Sequence, residues 1–536
     1  MPRRTHALLT AALVASLVAA MPAVTGPPSA PSAPSSPSAP SAPSSAPDVE
    51  VTAEETDEFG NEMTSLLVSS FDGTQIDVNV CRPAAASAAA PVPVVFQSHG
   101  WKQGKANCIN QLEYFNAGLG YASMSQRGNH GSGGENNVMD PDLEGRDIMA
   151  VIDHLASLDW VAKDDGPGGS DPVLGGLGDS YGGGFQWVGA FTDQWLRDAP
   201  TRFNTLVPGN TWYDLRESLA PNGVLRTLIV NGLYGTGMAN EDQDIAPWFT
   251  AAMAAGNATG LMVDVPPAAD WSTELHQHGA AWFVEQGMQL DIPVHFSQGA
   301  GDLVFPLNDG INAYEHALTP EARERSVFLN HQGGHGLLGQ LPKGPLPYTA
   351  RSGDTCDAVS TLAWFRHTLL GEELELEGRI RLRTVDGDCH HMDAFPEATT
   401  VEVPAFDGTV IANAARGEYV MHPLVTEPAT IGGIPHLTFS STNTVPDARV
   451  FWGLAVGTSP EEARLVGGQW MPSRVELPGA DQTVSIELGA VVVDVEEGET
   501  LYLVASSSAD QFVAHASRAP GVTILDDVVV ELPFVG

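Results

Sequence analysis

Positive charge is what this chain has least of. Lysine occurs only at Lys102, Lys105, Lys163 and Lys343, and Lys plus Arg total 25 against 66 Asp plus Glu, a net charge of −41. That balance excludes a nucleic-acid partner, because phosphate contacts are made by basic side chains that displace counterions. It equally disfavours docking on anionic lipid. Cysteine is scarce: Cys81, Cys108, Cys356 and Cys389 are the full set. A chain of 536 residues, 43% hydrophobic, can bury a core without a disulfide scaffold. Four cysteines allow three full pairings, and their order does not choose among them. No internal repeat is present, and beyond the N-terminus no apolar run is long enough to span a bilayer.

What is present begins with a non-structural start. Arg3 and Arg4 precede an apolar stretch over 7–20 and small residues up to Ala23, the pattern of an export signal at 1–23. Pro, Ser and Ala then dominate, which predicts a linker over 24–56 that cannot bury enough apolar surface to fold. These features predict a secreted or cell-wall-associated protein, with no membrane span after signal cleavage, in a compartment where disulfides form.

From residue 57 the pattern alternates. Residues 66–68 and 76–80 flank Asp72-Gly73, a hairpin signal. Strands are predicted at 92–96, 121–125, 172–177, 292–297 and 326–329, and helices at 143–158, 185–196 and 356–370, the last stopped by Gly371. Alternation of this kind predicts an α/β domain over 57–373, a mostly parallel sheet whose chemistry lies beyond the carboxyl ends of its strands. Residues 205–291 loosen into helices and are expected to form a cap. After residue 374 short β segments take over, at 401–403, 437–439, 449–456, 483–488, 501–505, 513–516 and 528–532, predicting an all-β sandwich over 374–536.

The strongest chemical signal is Gly178-Asp179-Ser180-Tyr181-Gly182, between a predicted strand and a helix. This is the nucleophile elbow of the α/β-hydrolase fold, whose sharp turn holds a serine hydroxyl at the strand end. Serine needs a base, and the base an orienting carboxylate; in this fold they follow in the order Ser, Asp, His. Asp302 follows the strand at 292–297, with Asp309 as its competitor and a first-turn carboxylate as the alternative for the latter. His335 follows the strand at 326–329 in a glycine-flanked loop, with His331 as its competitor. The oxyanion hole is expected from the backbone N–H groups of Tyr181 and Trp101. His99, Arg127 and His130 are candidate pocket residues, though His99 reads better as a structural loop residue and the 127–134 loop as a polar loop shaped by its glycines rather than a pocket wall. The stretch 386–393 holds several metal-capable side chains, but their spacing matches no standard site. No metal and no organic cofactor is expected.

With these residues the sequence resembles the X-Pro dipeptidyl-peptidase / cocaine-esterase group of α/β-hydrolases. Phe71-Asp72-Gly73-Thr74, His99-Gly100, Arg127-Gly128, Gly178-Asp179-Ser180-Tyr181-Gly182-Gly183, Gly301-Asp302-Leu303-Val304-Phe305 and Gly333-Gly334-His335 carry the resemblance. It implies a serine hydrolase with Ser180, Asp302 and His335 as triad, a helical cap and a C-terminal jelly-roll-like domain. The cocaine-esterase branch uses a tyrosine hydroxyl in its oxyanion hole; this loop has Trp101 instead, so two backbone amides are expected. Expected substrates are small esters, amides or short peptides, cleaved by an X-Pro dipeptidyl-peptidase-like peptidase or by a carboxylesterase. A non-catalytic secreted protein binding through its β-domain is the other class, and glycan or cell-wall contact through that domain is a further expectation.

Overall fold

The computed structural model describes residues 47–164, 171–240, 242–266, 270–335, 346–350, 352–413, 417–512 and 520–536. The expected export signal, most of the expected linker and the strand expected at 513–516 lie outside these residues.

Among the described residues the α/β part is built on one eleven-stranded sheet. Its strands are β1 (Val49–Thr56), β2 (Glu62–Ser69), β3 (Gln75–Arg82), β4 (Val94–Ser98), β5 (Gly120–Met124), β6 (Leu174–Asp179), β7 (Phe203–Gly209), β8 (His295–Gly299), β9 (Val327–His331), β10 (Ile380–Arg383) and β11 (Cys389–Met392). They lie in the order β1-β2-β3-β5-β4-β6-β7-β8-β9-β10-β11. From β5 to β10 all neighbours are parallel; the pairs at both ends are antiparallel. Both faces of the middle strands are covered, which is why Val94, Val95 and Phe96 form an unbroken apolar run with no exposed side chain. The helices Glu144–Ser157 and Tyr181–Arg197 pack together, and Phe185 of the second stands edge-on to Phe96 of β4 at 5.0 Å. The chain winds from β4 to β5 in one direction, then to β6 in the other. The crevice beyond the ends of β4 and β6 is thus the switch point where such sheets place their sites.

Several boundaries differ from the sequence reading, each for a physical reason. Val49–Thr56, read as linker, is an edge strand; its glutamates and exposed faces hide the pattern and also deter edge-to-edge association. Thr205–Gly209, read as the start of the cap, belongs to β7, whose Asn204, Thr205 and Pro208 break the apolar run. The cap proper follows, as the helices Leu215–Leu219, Thr227–Met238, Pro247–Thr259, Trp271–Gln277 and Ala280–Glu285. β10 and β11, read as the first part of the β-domain, extend the α/β sheet instead. A strand's periodicity shows which face is buried, not which sheet it joins.

From Ala398 to Val535 two antiparallel sheets enclose their own apolar core, the all-β sandwich expected. The disulfides are Cys81–Cys108 and Cys356–Cys389. The sandwich is fastened to the α/β part by buried polar contacts. The Asn308 side chain donates to the Leu488 carbonyl at 2.9 Å and accepts from the Ala490 N–H at 2.7 Å, and Gln332 donates to the Val492 carbonyl at 3.2 Å.

Candidate active site

The turn after β6 holds Ser180 at φ 59°, ψ −119°, a backbone conformation seldom adopted by a residue with a side chain. Neighbouring atoms require glycine on either side. A Cβ on Gly178 (φ 157°) would lie 2.7 Å from the Gly182 carbonyl, and one on Gly182 would lie 2.6 Å from the Ser98 carbonyl. The Ser180 N–H donates to Gly209 O at 2.8 Å, and its carbonyl accepts from Thr211 Oγ1 at 2.9 Å. The helix opens directly at Tyr181, four residues earlier than the sequence pattern suggests, because the glycines at 182–184 sit against the loop after β4, Thr211 and Trp212.

Ser180, His335 and Asp302 come together from three strand ends. His335 Nε2 lies 2.8 Å from Ser180 Oγ, and His335 Nδ1 lies 2.5 Å from Asp302 Oδ2. Asp302 has no exposed surface; its Oδ1 accepts the Val304 and Phe305 N–H groups at 2.9 and 3.1 Å, and its Oδ2 also accepts the His335 N–H at 3.2 Å. The carboxylate is thereby fixed by backbone donors and aimed at one ring nitrogen. Burial disfavours the His335 imidazolium, but the charge and hydrogen bond of Asp302, with a smaller contribution from Asp179, hold its pKa above the ordinary 6.5. Phe305 stands edge-on to the ring at 5.3 Å and shields it.

The competitors are occupied elsewhere. Asp309 lies in the first turn of the helix Leu307–Asn312, where its Oδ1 accepts from the Tyr213 N–H at 2.8 Å and from Ser218 Oγ at 3.0 Å; burial pushes its carboxyl up to about 8. His331 ends β9 and accepts the Gly333 N–H on Nδ1 at 3.1 Å.

Tyr181 is the first helical residue, so its N–H has no acceptor within the helix. The Trp101 N–H carries no hydrogen bond among the described residues. The two side chains meet edge-to-face at 5.3 Å, and the Trp101 indole N–H donates to the cap at Leu233 O, 2.9 Å away.

His99, Arg127 and His130, read as pocket candidates, are held by scaffold contacts. His99 is buried, accepts the Gln126 N–H on Nε2 at 2.9 Å and lies 2.8 Å from Gly100 O through Nδ1; burial pushes its pKa down to about 4, leaving it neutral. Arg127 pairs with Asp147 through Nε and Nη2 at 2.8 and 2.7 Å, and with Asp72 through Nη1 at 2.7 Å, tying the β2–β3 hairpin to the helix Glu144–Ser157. His130 is exposed at φ 49° and packs over Gly104, on a loop whose neighbours Asn129 and Asn136 pair with Gln243 and Ile245 of the cap.

Two buried glutamines escaped the sequence reading. Gln186 donates to the carbonyls of Gly178, Gly182 and Val207 at 3.0–3.1 Å and accepts the Val207 N–H at 2.8 Å, stapling the elbow to β7. Its signal was a lone amide inside the apolar stretch Phe185-Gln186-Trp187-Val188. Gln469, from the β-domain, donates through Nε2 to Asp302 O at 2.7 Å and to Ala300 O at 3.3 Å. It is only 3% exposed, so the β-domain reaches under the turn that carries Asp302. No local sequence signal marks it, since its partner lies 167 residues away.

Residues 72–337 match the family model of the X-Pro dipeptidyl-peptidase (S15 family). This part of the chain belongs to that family of α/β-hydrolases. The family's activity is serine hydrolysis of ester or peptide bonds. The whole architecture is similar to that of a CocE/NonD family hydrolase from Staphylococcus aureus, at 15% identity and TM-score 0.61, covering 91% of this chain and 97% of that one. It is similar to an α-amino acid ester hydrolase, at 14% identity and TM-score 0.60, covering 89% and 97%. It is also similar to an aminopeptidase from a marine sediment Thaumarchaeota archaeon, at 14% identity and TM-score 0.59, covering 91% and 98%. At these identities the likeness concerns the fold. No relative is found among curated proteins. Among the described residues no helix is long and apolar enough to cross a membrane.

Proposed function

We propose that the protein is an exported serine hydrolase that cleaves ester or amide bonds of small molecules or short peptides through an acyl-enzyme on Ser180. One observation carries the reading: the hydrogen-bonded row from Ser180 Oγ through the His335 ring to a buried Asp302. His335 Nε2 takes the hydroxyl proton as Oγ attacks the acyl carbon; Asp302 keeps the other proton on Nδ1 and stabilises the imidazolium. The oxyanion forms against the N–H groups of Tyr181 and Trp101, at the positive end of the helix Tyr181–Arg197. The imidazolium then protonates the leaving group, and water repeats the sequence to release the acid. Two disulfides support export to an oxidising compartment.

A panel of p-nitrophenyl esters and of dipeptidyl, tripeptidyl and prolyl amides tests the reading. An X-Pro dipeptidyl-peptidase turns over dipeptidyl amides with penultimate proline best, whereas a carboxylesterase turns over only esters. Folded protein inert across the panel would favour the non-catalytic class.

The pH dependence follows from the base. Attack requires neutral His335, whose pKa is raised, so kcat/KM falls as pH drops through a value above 6.5. A pH–rate profile with its acid limb below 6.5 would contradict the proposed role of Asp302.

Gln469 is proposed as a positioning residue. Gln469→Leu removes the amide that holds the Asp302 turn and is expected to lower kcat by about 10- to 100-fold, with KM little changed. The acid limb should move as well, because the His335–Asp302 geometry sets it. A loss of thermal stability without a change in kcat or pH profile would reduce Gln469 to a domain-packing role.

A further inference from the structure

A second constellation of chemistry-bearing side chains lies where the loop after β5 meets the cap. Asp140 comes from that loop; Glu274 and His278 are four residues apart, on and just after the cap helix Trp271–Gln277. One carboxylate oxygen from each acid and one ring nitrogen of His278 all lie within 4.8 Å of one another. The geometry points to a divalent-cation site of the zinc type, with Asp140, Glu274 and His278 as three protein ligands.

Three features carry it. The His278 side chain is 1% exposed, and its Nδ1 has no hydrogen-bond partner among the described residues. Its Nε2 faces Glu274 Oε2 at 3.7 Å, too far for a hydrogen bond. Among the described residues no Lys or Arg pairs with Asp140 or Glu274. Two carboxylates are therefore held together beside an imidazole, with no Lys or Arg of the described residues to balance them.

The donor set selects the ion. Calcium and magnesium prefer all-oxygen shells, whereas one imidazole with two carboxylates suits zinc. A tetrahedral zinc with bonds of about 2.0–2.2 Å spaces its ligand atoms about 3.4 Å apart, which these groups reach by small inward movements. Water completes the fourth position. The ion would clasp the loop to the cap just where Val138 and Met139 run consecutively at φ 62° and 66°. No such site is visible along the sequence, because Asp140 and the Glu274/His278 pair come from two distant segments.

The test uses untagged full-length protein stripped with a chelator, zinc alone as ligand, and calorimetry with elemental analysis. Wild type should take up one zinc per chain at this site and unfold at a higher temperature when loaded. Glu274→Gln and His278→Gln should each weaken uptake at least about 100-fold and abolish the thermal shift, with calcium and magnesium producing neither effect in wild type. Glu274 is half-buried, so Glu274→Gln keeps the test decisive where His278→Gln fails to fold. Folded wild type that binds no zinc, or Glu274→Gln that binds and shifts like wild type, overturns the site. Neither readout involves hydrolysis, so failure here leaves the role of Ser180 untouched.

Discussion

Ser180→Ala lowers kcat on the best ester or amide substrate by on the order of 10⁴- to 10⁶-fold while leaving the fold intact. The size follows from the role proposed for Oγ, the atom that would become acylated; neither His335 nor the helix N-terminus can replace it. The residual rate comes from substrate binding and the oxyanion donors, which act on a water attack as well. The fold should survive because the backbone, not the hydroxyl, holds the elbow. The Ser180 N–H and carbonyl bond to Gly209 and Thr211, and among the described residues Oγ bonds only to His335. Alanine must still adopt φ 59°, as serine does, so the strain is common to both. Circular dichroism and thermal unfolding check the fold, and single-turnover kinetics check the loss. A variant retaining more than about a tenth of wild-type turnover would place the chemistry elsewhere.

Asp302→Asn lowers kcat by about 10⁴-fold, the second-largest effect expected. Asparagine keeps an oxygen for the Val304 and Phe305 N–H groups that now bind Oδ1. It turns its amide toward His335 Nδ1, which must then accept rather than donate. The ring proton moves to Nε2, the nitrogen that faces Ser180 Oγ, and a protonated Nε2 cannot act as base. The charge that lifted the His335 pKa is also lost, so burial governs and the acid limb shifts to lower pH. The combined signature, a collapsed kcat with a downward-shifted acid limb, separates loss of the carboxylate from general damage. A fall of less than about tenfold with an unmoved limb would contradict the role assigned to Asp302.

Much of the candidate site was legible along the chain because the residues proposed for it lie in short turns after strands. Gly178, Ser180 and Gly182 form a local pattern, and the loops of Asp302 and His335 follow apolar runs of strand length. The order of the three is set by how the sheet is wound. Where the reading missed, tertiary context decided. β7 has no clean apolar run because Asn204, Thr205 and Pro208 interrupt it, although neighbouring elements bury the strand. β1 survives as a strand through edge pairing despite three glutamates. The disulfide partners, open among three pairings, are decided by which non-strand segment packs beside which strand: Cys108 of the 3-10 turn Cys108–Asn110 meets Cys81 of β3, and Cys356, before the helix Thr361–Leu370, meets Cys389 of β11. His99 and Arg127, named as pocket candidates but read better as scaffold, are held by the Gln126 backbone and by Asp147. Gln469 shows the limit most plainly, since the amide beneath the Asp302 turn arrives from another domain.

The central claim is that Ser180 is a nucleophile activated by the folded arrangement of His335 and Asp302. A fluorophosphonate probe tests it directly, because it phosphonylates an activated serine and spares an ordinary one. Native protein should gain a single adduct, located by peptide mass spectrometry on Ser180. Heat-denatured protein and Ser180→Ala should gain none, and labelling should weaken as pH falls through the raised His335 pKa. Native, folded protein that leaves Ser180 unlabelled, or carries the adduct on another serine, would contradict the account.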